Sequence, residues 1–315
     1  MRNVDITAVI CSYNRYRTIG DAIASVEAQS IGRETYEIIV IDNSPDHEFS
    51  AKFAQQYAER ENFSWIIEKS PGLSNARNVG LKLAQGRFIC FMDDDAVADR
   101  NWLKGVAAAF DQFGDRAGVV GGRVDPIWEA PRPNWLHDDF LGHLSLVDWK
   151  GAEPRIAGPR EWAVGTNISF RVEALRAIDG FPTHLGRKGG DHALLSNEEN
   201  DVCRKLKNCG QIVIYAPDAK VAHRVEPQRL TQEWFRRRVV WQAVSEYLQD
   251  GQRLFSEAPT YWSDVLQFVN MLPPRDRSLR ALYVPQEDPS LFKMQMTALY
   301  NYTVASLTGF TGIEA

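Results

Sequence analysis

An α/β fold with a mostly parallel sheet flanked on both faces by helices is predicted by three observations. Apolar, β-rich runs occur at residues 5–11, 36–41, 63–67, 87–92 and 117–121, each nearly unbroken rather than alternating. A strand buried on both faces reads this way, whereas a half-exposed strand alternates. Between the runs lie segments of helical spacing at 18–29, 47–60, 73–85 and 101–113, long enough to return the chain between parallel strands. Polar clusters at 12–15, 42–46 and 93–95 follow three of the runs. Ligands of open parallel sheets bind beyond the carboxyl ends of the strands, so these clusters share one rim.

Taken in order, the first run holds Ile6, Val9 and Ile10, and the helix after it carries Ile19, Ala22, Ile23 and Val26 on one face. The second run stops at the turn-forming cluster Asp42-Asn43-Ser44-Pro45-Asp46. A Pro71-Gly72 turn precedes the third helix, with Ser74 placed to cap it. After residue 122 the pattern changes. Residues 123–162 are rich in Pro, Gly and Trp without a period, and they hold Trp128, Trp135, Trp149 and Trp162. A stretch of this kind is commonly a functional loop or lid. A strand resumes at 164–170, followed by helices at 171–177 and 198–208, a strand at 211–215 and a long helix at 231–249. From 255 onward helices are broken at Pro273-Pro274, Pro285 and Pro289. The expected division is a main domain over 1–230, with halves 1–122 and 123–230, and a helical extension over 231–315.

With 315 residues the chain can bury a sizeable core without staples. Lys and Arg number 36 against 41 Asp and Glu, a net charge of −5, and this mildly acidic balance argues against nucleic acid as a partner. The four cysteines form no CxxC pair, and Cys11 and Cys90 lie inside apolar runs, so reduced thiols in the cytoplasm are expected. The N-terminus has no apolar stretch of about 7–15 residues such as a signal peptide carries. Residues 294–313 are uncharged, but Gln, Asn, Thr, Ser and Gly interrupt them, which does not suit a spanning helix. This segment is instead a candidate contact for a second copy in a homo-oligomer or for a membrane.

Four segments carry candidate chemistry. In Met92-Asp93-Asp94-Asp95, three carboxylates after a buried strand repel one another and suit Mn²⁺ or Mg²⁺ together with substrate phosphates. The alternative is a solvated acidic turn before the next helix. In Gly72-Leu73-Ser74-Asn75-Ala76-Arg77-Asn78-Val79-Gly80, Arg77 could approach a phosphate or base, or be an ordinary helix arginine. Glu198, Glu199 and Asp201 stand in the first turn of a helix, where the dipole alone favours acidic residues, and one of them is a candidate general base. By helical spacing Glu198 and Asp201 share a face, while Glu199 points elsewhere. His223 becomes a ligand candidate only if Asp95 lies nearby.

The ordered combination of Val9-Ile10-Cys11-Ser12-Tyr13-Asn14-Arg15, Val40-Ile41-Asp42-Asn43-Ser44, the Gly72–80 run and the acidic triplet resembles glycosyltransferase family 2. So do Val164-Gly165-Thr166-Asn167-Ile168-Ser169-Phe170-Arg171 and Glu198-Glu199-Asn200-Asp201-Val202-Cys203 with the later His223, a resemblance over roughly residues 4–245. The resemblance implies a GT-A fold, Rossmann-like, and inverting transfer of a sugar from a nucleotide-sugar donor, by family frequency a UDP-sugar. It places Ser12, Tyr13 and Asn14 beside the nucleotide, Asp42 or Asn43 at the base, and Arg77 near base and phosphates. Asp93 and Asp95 match the D-x-D positions, with Asp95 holding the metal and Asp93 or Asp94 the ribose. Thr166 and Asn167 would lie near the donor sugar, and His223 would be a further metal ligand. Glu199 stands where the family usually has the Asp of its Glu-Asp base motif, which leaves Glu198 and Asp201 as competitors. By this analogy 1–122 is the nucleotide-sugar half, 123–230 the acceptor and base half, and the acceptor a glycan or lipid-linked hydroxyl in polysaccharide or related synthesis.

The chemistry is consistent with that reading. A nucleoside diphosphate leaves readily once its developing charge is neutralised, and the attacking hydroxyl needs a base on the opposite face. Trp135 and Trp149, with Trp128 and Trp162, could form an acceptor wall or anchor a long loop. Arg236-Arg237-Arg238 could reach the diphosphate, meet an anionic membrane at its inner face, or be a solvated helix face. The rival readings are a metal-dependent phosphotransferase or phosphatase using Asp93 as nucleophile, and a non-catalytic nucleotide-sugar-binding module. The D-x-D after the fourth strand rather than the first speaks against the former, and the carboxylates at 198, 199 and 201 against the latter.

Overall fold

The computed structural model describes residues 4–188 and 194–309. Four strands, β1 (Ile6–Ser12), β2 (Tyr36–Asp42), β3 (Phe63–Ile67) and β4 (Phe88–Asp93), pair in parallel in the order β3-β2-β1-β4. The crossovers between them contain α1 (Ile19–Glu27), α2 (His47–Ala54) and α3 (Leu73–Leu83). The register pairs Ser12 with Asp42 and Cys11 with Asp93, so the three polar strand ends do lie on one rim.

Beyond β4 the sheet turns antiparallel. After β5 (Ala96–Ala98), α4 (Trp102–Phe113) and β6 (Ala117–Trp128) come β7 (Arg155–Ile156), β8 (Asn167–Arg171), α5 (Val172–Ala177), α6 (Glu198–Asn208) and β9 (Ile212–Val225). The full order is β3-β2-β1-β4-β8-β6-β9-β5, with β7 on β9. β6 and β9 extend well past the ends read from sequence, because their outer halves alternate between buried and partly exposed positions and so look like loop. The close approach of β6 to β9 depends on Gly122, whose Cβ would stand 1.6 Å from the Ala219 carbonyl oxygen. Asn167 cross-links this region: its amide donates to the Ala219 and Arg123 carbonyls and accepts from the Trp102 indole.

The chain divides into two compact units. The first takes the described residues up to 127, with 145–188 and 198–224, and the second takes 128–144, 194–197 and 225–309. In the first, Val9, Ile39, Ile41, Ile89, Phe91, Phe170 and Phe181 form a core between sheet and helices. All four cysteines are free, and burial pushes the Cys11, Cys90 and Cys203 thiols up to about 12, as expected of core residues.

In the second unit, α7 (Gln232–Met271) starts at Thr231, whose hydroxyl accepts the Trp234 amide. It breaks at Asp250 (φ −156°, ψ 66°), where the carboxylate accepts the Arg253 amide and begins a second helical segment that carries Pro259 inside it. α8 (Pro289–Leu307) is capped by Asp288. The helix buries Phe292, Met296, Leu299 and Val304, and it takes up the uncharged stretch from 294 to 307; positions 310–313 of that stretch lie outside the described residues. Two arginines of the basic run are turned to bonds within this unit, Arg236 to Gln232 and the Val284 carbonyl and Arg238 to Ser196 and Gln242, while Arg237 is exposed. No helix among the described residues is long and apolar enough to cross a membrane.

Candidate active site

The first acidic centre is built by sheet register. Ala96 pairs with His223 across β5 and β9, which brings the imidazole to the turn that follows β4. One donor atom each from Asp93, Asp95 and His223 lie within 4.8 Å of one another, and the His223 Nε2 to Asp95 Oδ1 distance is 3.2 Å. Asp95 and His223 are buried, and two carboxylates with an imidazole form a donor set that fits a hard or borderline divalent cation. Asp93 is oriented by the Thr166 hydroxyl, which donates to its Oδ2 at 2.5 Å. Asp94 accepts the Tyr13 amide, and burial followed by the neighbouring Asp95 charge holds its carboxyl well above the ordinary range, against the pull of Arg15. Arg15 stands over both carboxylates, with Nη1 3.0 Å from Asp95 Oδ2 and Nε 3.7 Å from Asp94 Oδ1.

The second centre surrounds Arg77. Its Nη1 lies 2.9 Å from Glu198 Oε1 and 3.2 Å from Glu199 Oε1, and its guanidinium stacks over Phe181 at 5.2 Å. Burial disfavours the charged guanidinium, but the Glu199 and Glu198 carboxylates outweigh that and raise its pKa. Glu198 shares the same buried environment. Burial first, then the Glu199 charge, push its carboxyl up to about 8, with Arg77 opposing. Contrary to the helical-spacing expectation, Glu198 and Glu199, the first two residues of α6, converge on one cation. Asp201 instead faces along the helix, bonded to Arg204 at 2.5 Å and Lys205 at 3.0 Å. Gly165 lies against this centre, where a Cβ would sit 1.9 Å from Glu199 Oε1 and 2.3 Å from Arg77 Nη2. Adjacent residues, Gly165 and Thr166, thus touch the two centres in turn.

The other expected site residues fall at the rim with varied freedom. Tyr13 is 44% exposed, Ser12 is buried at the end of β1, and Asn14 takes a left-handed conformation (φ 58°) with its amide on the Ser44 hydroxyl. Asp42 accepts from Ser44 (amide and hydroxyl), Ser50 and Tyr16, so both oxygens are engaged. Asn43 binds the Glu68 and Ser70 carbonyls and the Gly72 amide, which fixes the loop into α3. Trp149 packs edge-on against Trp162, ring centroids 4.6 Å apart, in the first unit. Trp135 belongs to the second unit, packed on Phe235 and Phe292. Sequence reasoning missed Arg15 and Gly165. An arginine three positions past a strand end, and a glycine before the Thr166 position, were visible, but their partners lie about 80 and 35 positions away.

A sheet of this topology, with an acidic strand end on its ligand rim, is the GT-A fold, shared with solved glycosyltransferases. The sequence model described as glycosyl transferase family 2 matches residues 7–179, more than half of the chain, and the protein belongs to that family. It is a glycosyltransferase, which sets aside the phosphotransferase and binding-module readings. Over 310 residues it is 28% identical to the glucosyl-dolichyl phosphate glucuronosyltransferase of Haloferax volcanii, covering 97% of this chain and 95% of that one. The mannosyltransferase PcManGT of Pyrobaculum calidifontis, solved with GDP-Man and Mn²⁺, superposes with a TM-score of 0.60 at 19% identity over 98% of this chain and 88% of that one. Staphylococcus aureus TarS 1-349, solved with UDP, gives 0.53 at 19% identity over 96% and 90%. At these identities the two structures share the fold.

Proposed function

We propose that the enzyme is an inverting, cation-dependent glycosyltransferase that moves a sugar from a UDP-sugar onto a hydroxyl of a lipid-linked glycan. The observation that carries this reading is the pair of acidic centres joined by the single Gly165-Thr166 peptide. One centre suits a metal at the leaving group and the other a base at the acceptor, as a single displacement requires. Asp95, His223 and Asp93 would hold the cation, and His223 tips the donor set toward Mn²⁺ over Mg²⁺. The chemistry a divalent cation supplies there is neutralisation of charge on the departing diphosphate.

Glu199 is the base in this reading, because its side chain keeps 17% exposure while Glu198 keeps 3%. Arg77 and Glu198 position it rather than contacting nucleotide. Asp201 is held by Arg204 and Lys205, which weakens its claim to the role. Tyr13 and Asn14 offer exposed side chains to the nucleotide, with Asp42 and Asn43 shaping the base side through the loops they hold. Thr166 and Asn167 orient the donor side from behind. The lipid-linked acceptor is supported by the name of the Haloferax relative, and uridine by family frequency alone.

Removal of divalent cation by EDTA should stop donor turnover, and Mn²⁺ should restore it. Glu199→Gln should lower kcat by about 10²–10⁴-fold with UDP affinity retained, while Asp201→Asn stays active. Full turnover in EDTA, or an active Glu199→Gln enzyme, would overturn the assignment.

A further inference from the structure

The turn after β1 delivers a cation to the acidic triplet. Its backbone is fixed: the Asn14 amide is bonded to Ser44, and the Arg15 carbonyl accepts the Thr18 and Ile19 amides at the start of α1. The Arg15 side chain is 27% exposed, against 8% and 4% for Asp94 and Asp95, so the guanidinium lies on the solvent side of the carboxylates it pairs with. Arg15 draws on Asp95 Oδ2, while the other oxygen of that carboxylate faces His223. Arg15 and any cation held by Asp93, Asp95 and His223 therefore share one carboxylate through its two oxygens, and the repulsion between two cations on it weakens the hold of each.

We propose that Arg15 is a positioning residue that makes metal and nucleotide binding mutually dependent. It neutralises Asp94 and Asp95 before the donor arrives, and it is released to the diphosphate when the cation takes Asp95. The inference rests on the reading of Asp93, Asp95 and His223 as the cation site. The physical basis is charge matching. Three adjacent carboxylates need a counter-cation in either state, and a divalent ion supplies what the guanidinium gives up. A freed guanidinium has the planar, two-pronged geometry that fits paired phosphate oxygens. Linkage then requires that the factor by which UDP tightens Mn²⁺ equals the factor by which Mn²⁺ tightens UDP.

The test is calorimetric titration of the full chain with Mn²⁺ alone, UDP alone and each in the presence of the other, for wild type, Arg15→Gln, Arg15→Lys and Asp95→Asn. In Arg15→Gln, Mn²⁺ alone should bind about tenfold more tightly than to wild type. The mutual tightening between Mn²⁺ and UDP should fall at least tenfold, with Arg15→Lys intermediate. Circular dichroism should show each variant folded. Unchanged Mn²⁺ affinity and unchanged coupling in Arg15→Gln would overturn the role of Arg15. Mn²⁺ binding that survives Asp95→Asn would instead overturn the cation site on which the inference stands.

Discussion

Glu198→Gln should flatten the dependence of stability on pH. In the native protein the Glu198 carboxyl is buried, its Oε1 accepts from Arg77, and Oε2 has no hydrogen-bond partner among the described residues. Its pKa is raised from 4.5 to about 8. The folded protein therefore binds the more protons between those values. Stability is complete below about 4.5, falls as pH rises toward 8, and levels off above that. The slope approaches roughly 1.4 kcal/mol per pH unit for one proton, with a ceiling near 5 kcal/mol over the whole window; sharing of charge with Glu199 and Arg77 reduces it. Glutamine keeps the shape and the acceptor but cannot ionise. Urea unfolding at pH 5, 6, 7 and 8 should show wild type losing stability relative to Glu198→Gln at each step, and the difference removes titrations common to both proteins. Parallel profiles would refute the reasoning. In the proposed reading Glu198 positions rather than abstracts a proton, so the variant should also lose less turnover than Glu199→Gln.

Three further expectations concern Gly165 and the two tryptophans. Gly165→Ala places a methyl into the Arg77–Glu199 pair, so kcat should drop at least about 10²-fold while Mn²⁺-dependent UDP binding in a thermal-shift assay stays close to wild type. Trp149→Ala should raise the acceptor KM. Trp135→Ala should leave that KM unchanged and destabilise the second unit by about 2–4 kcal/mol in chemical unfolding, as expected for loss of a partly buried indole.

The parallel half of the sheet was legible because unbroken apolar runs and amphipathic helices alternate there without exception. Residues 212–225 were harder: Pro217 and Asp218 interrupt the run, and the last half alternates in burial, so the strand read as ending at 215. That strand carries His223, and its pairing with β5 could not be read from local pattern. Residue types at the rim were plain from the sequence, but not the directions of their hydrogen bonds. Asp42 and Asn43 are engaged by neighbours 2–29 positions away, and Arg77 meets Glu198 across 121 positions. The acidic pair 198–199 stood out as composition, while the difference in burial between Glu198 and Glu199 is set by residues distant in sequence, Arg77 and Gly186 against the former and Gly165 against the latter.

The peptide between Gly165 and Thr166 also acts as a covalent ruler. Consecutive Cα atoms across a trans peptide are held at about 3.8 Å, and that length does not stretch with ligand or temperature. Because one residue abuts the Arg77–Glu199 centre and the next bonds Asp93, the two centres share one rigid backbone unit, and a shift of that peptide disturbs the contacts of both. Gly165 and Thr166 therefore cannot be displaced independently, which ties the packing of one centre to that of the other.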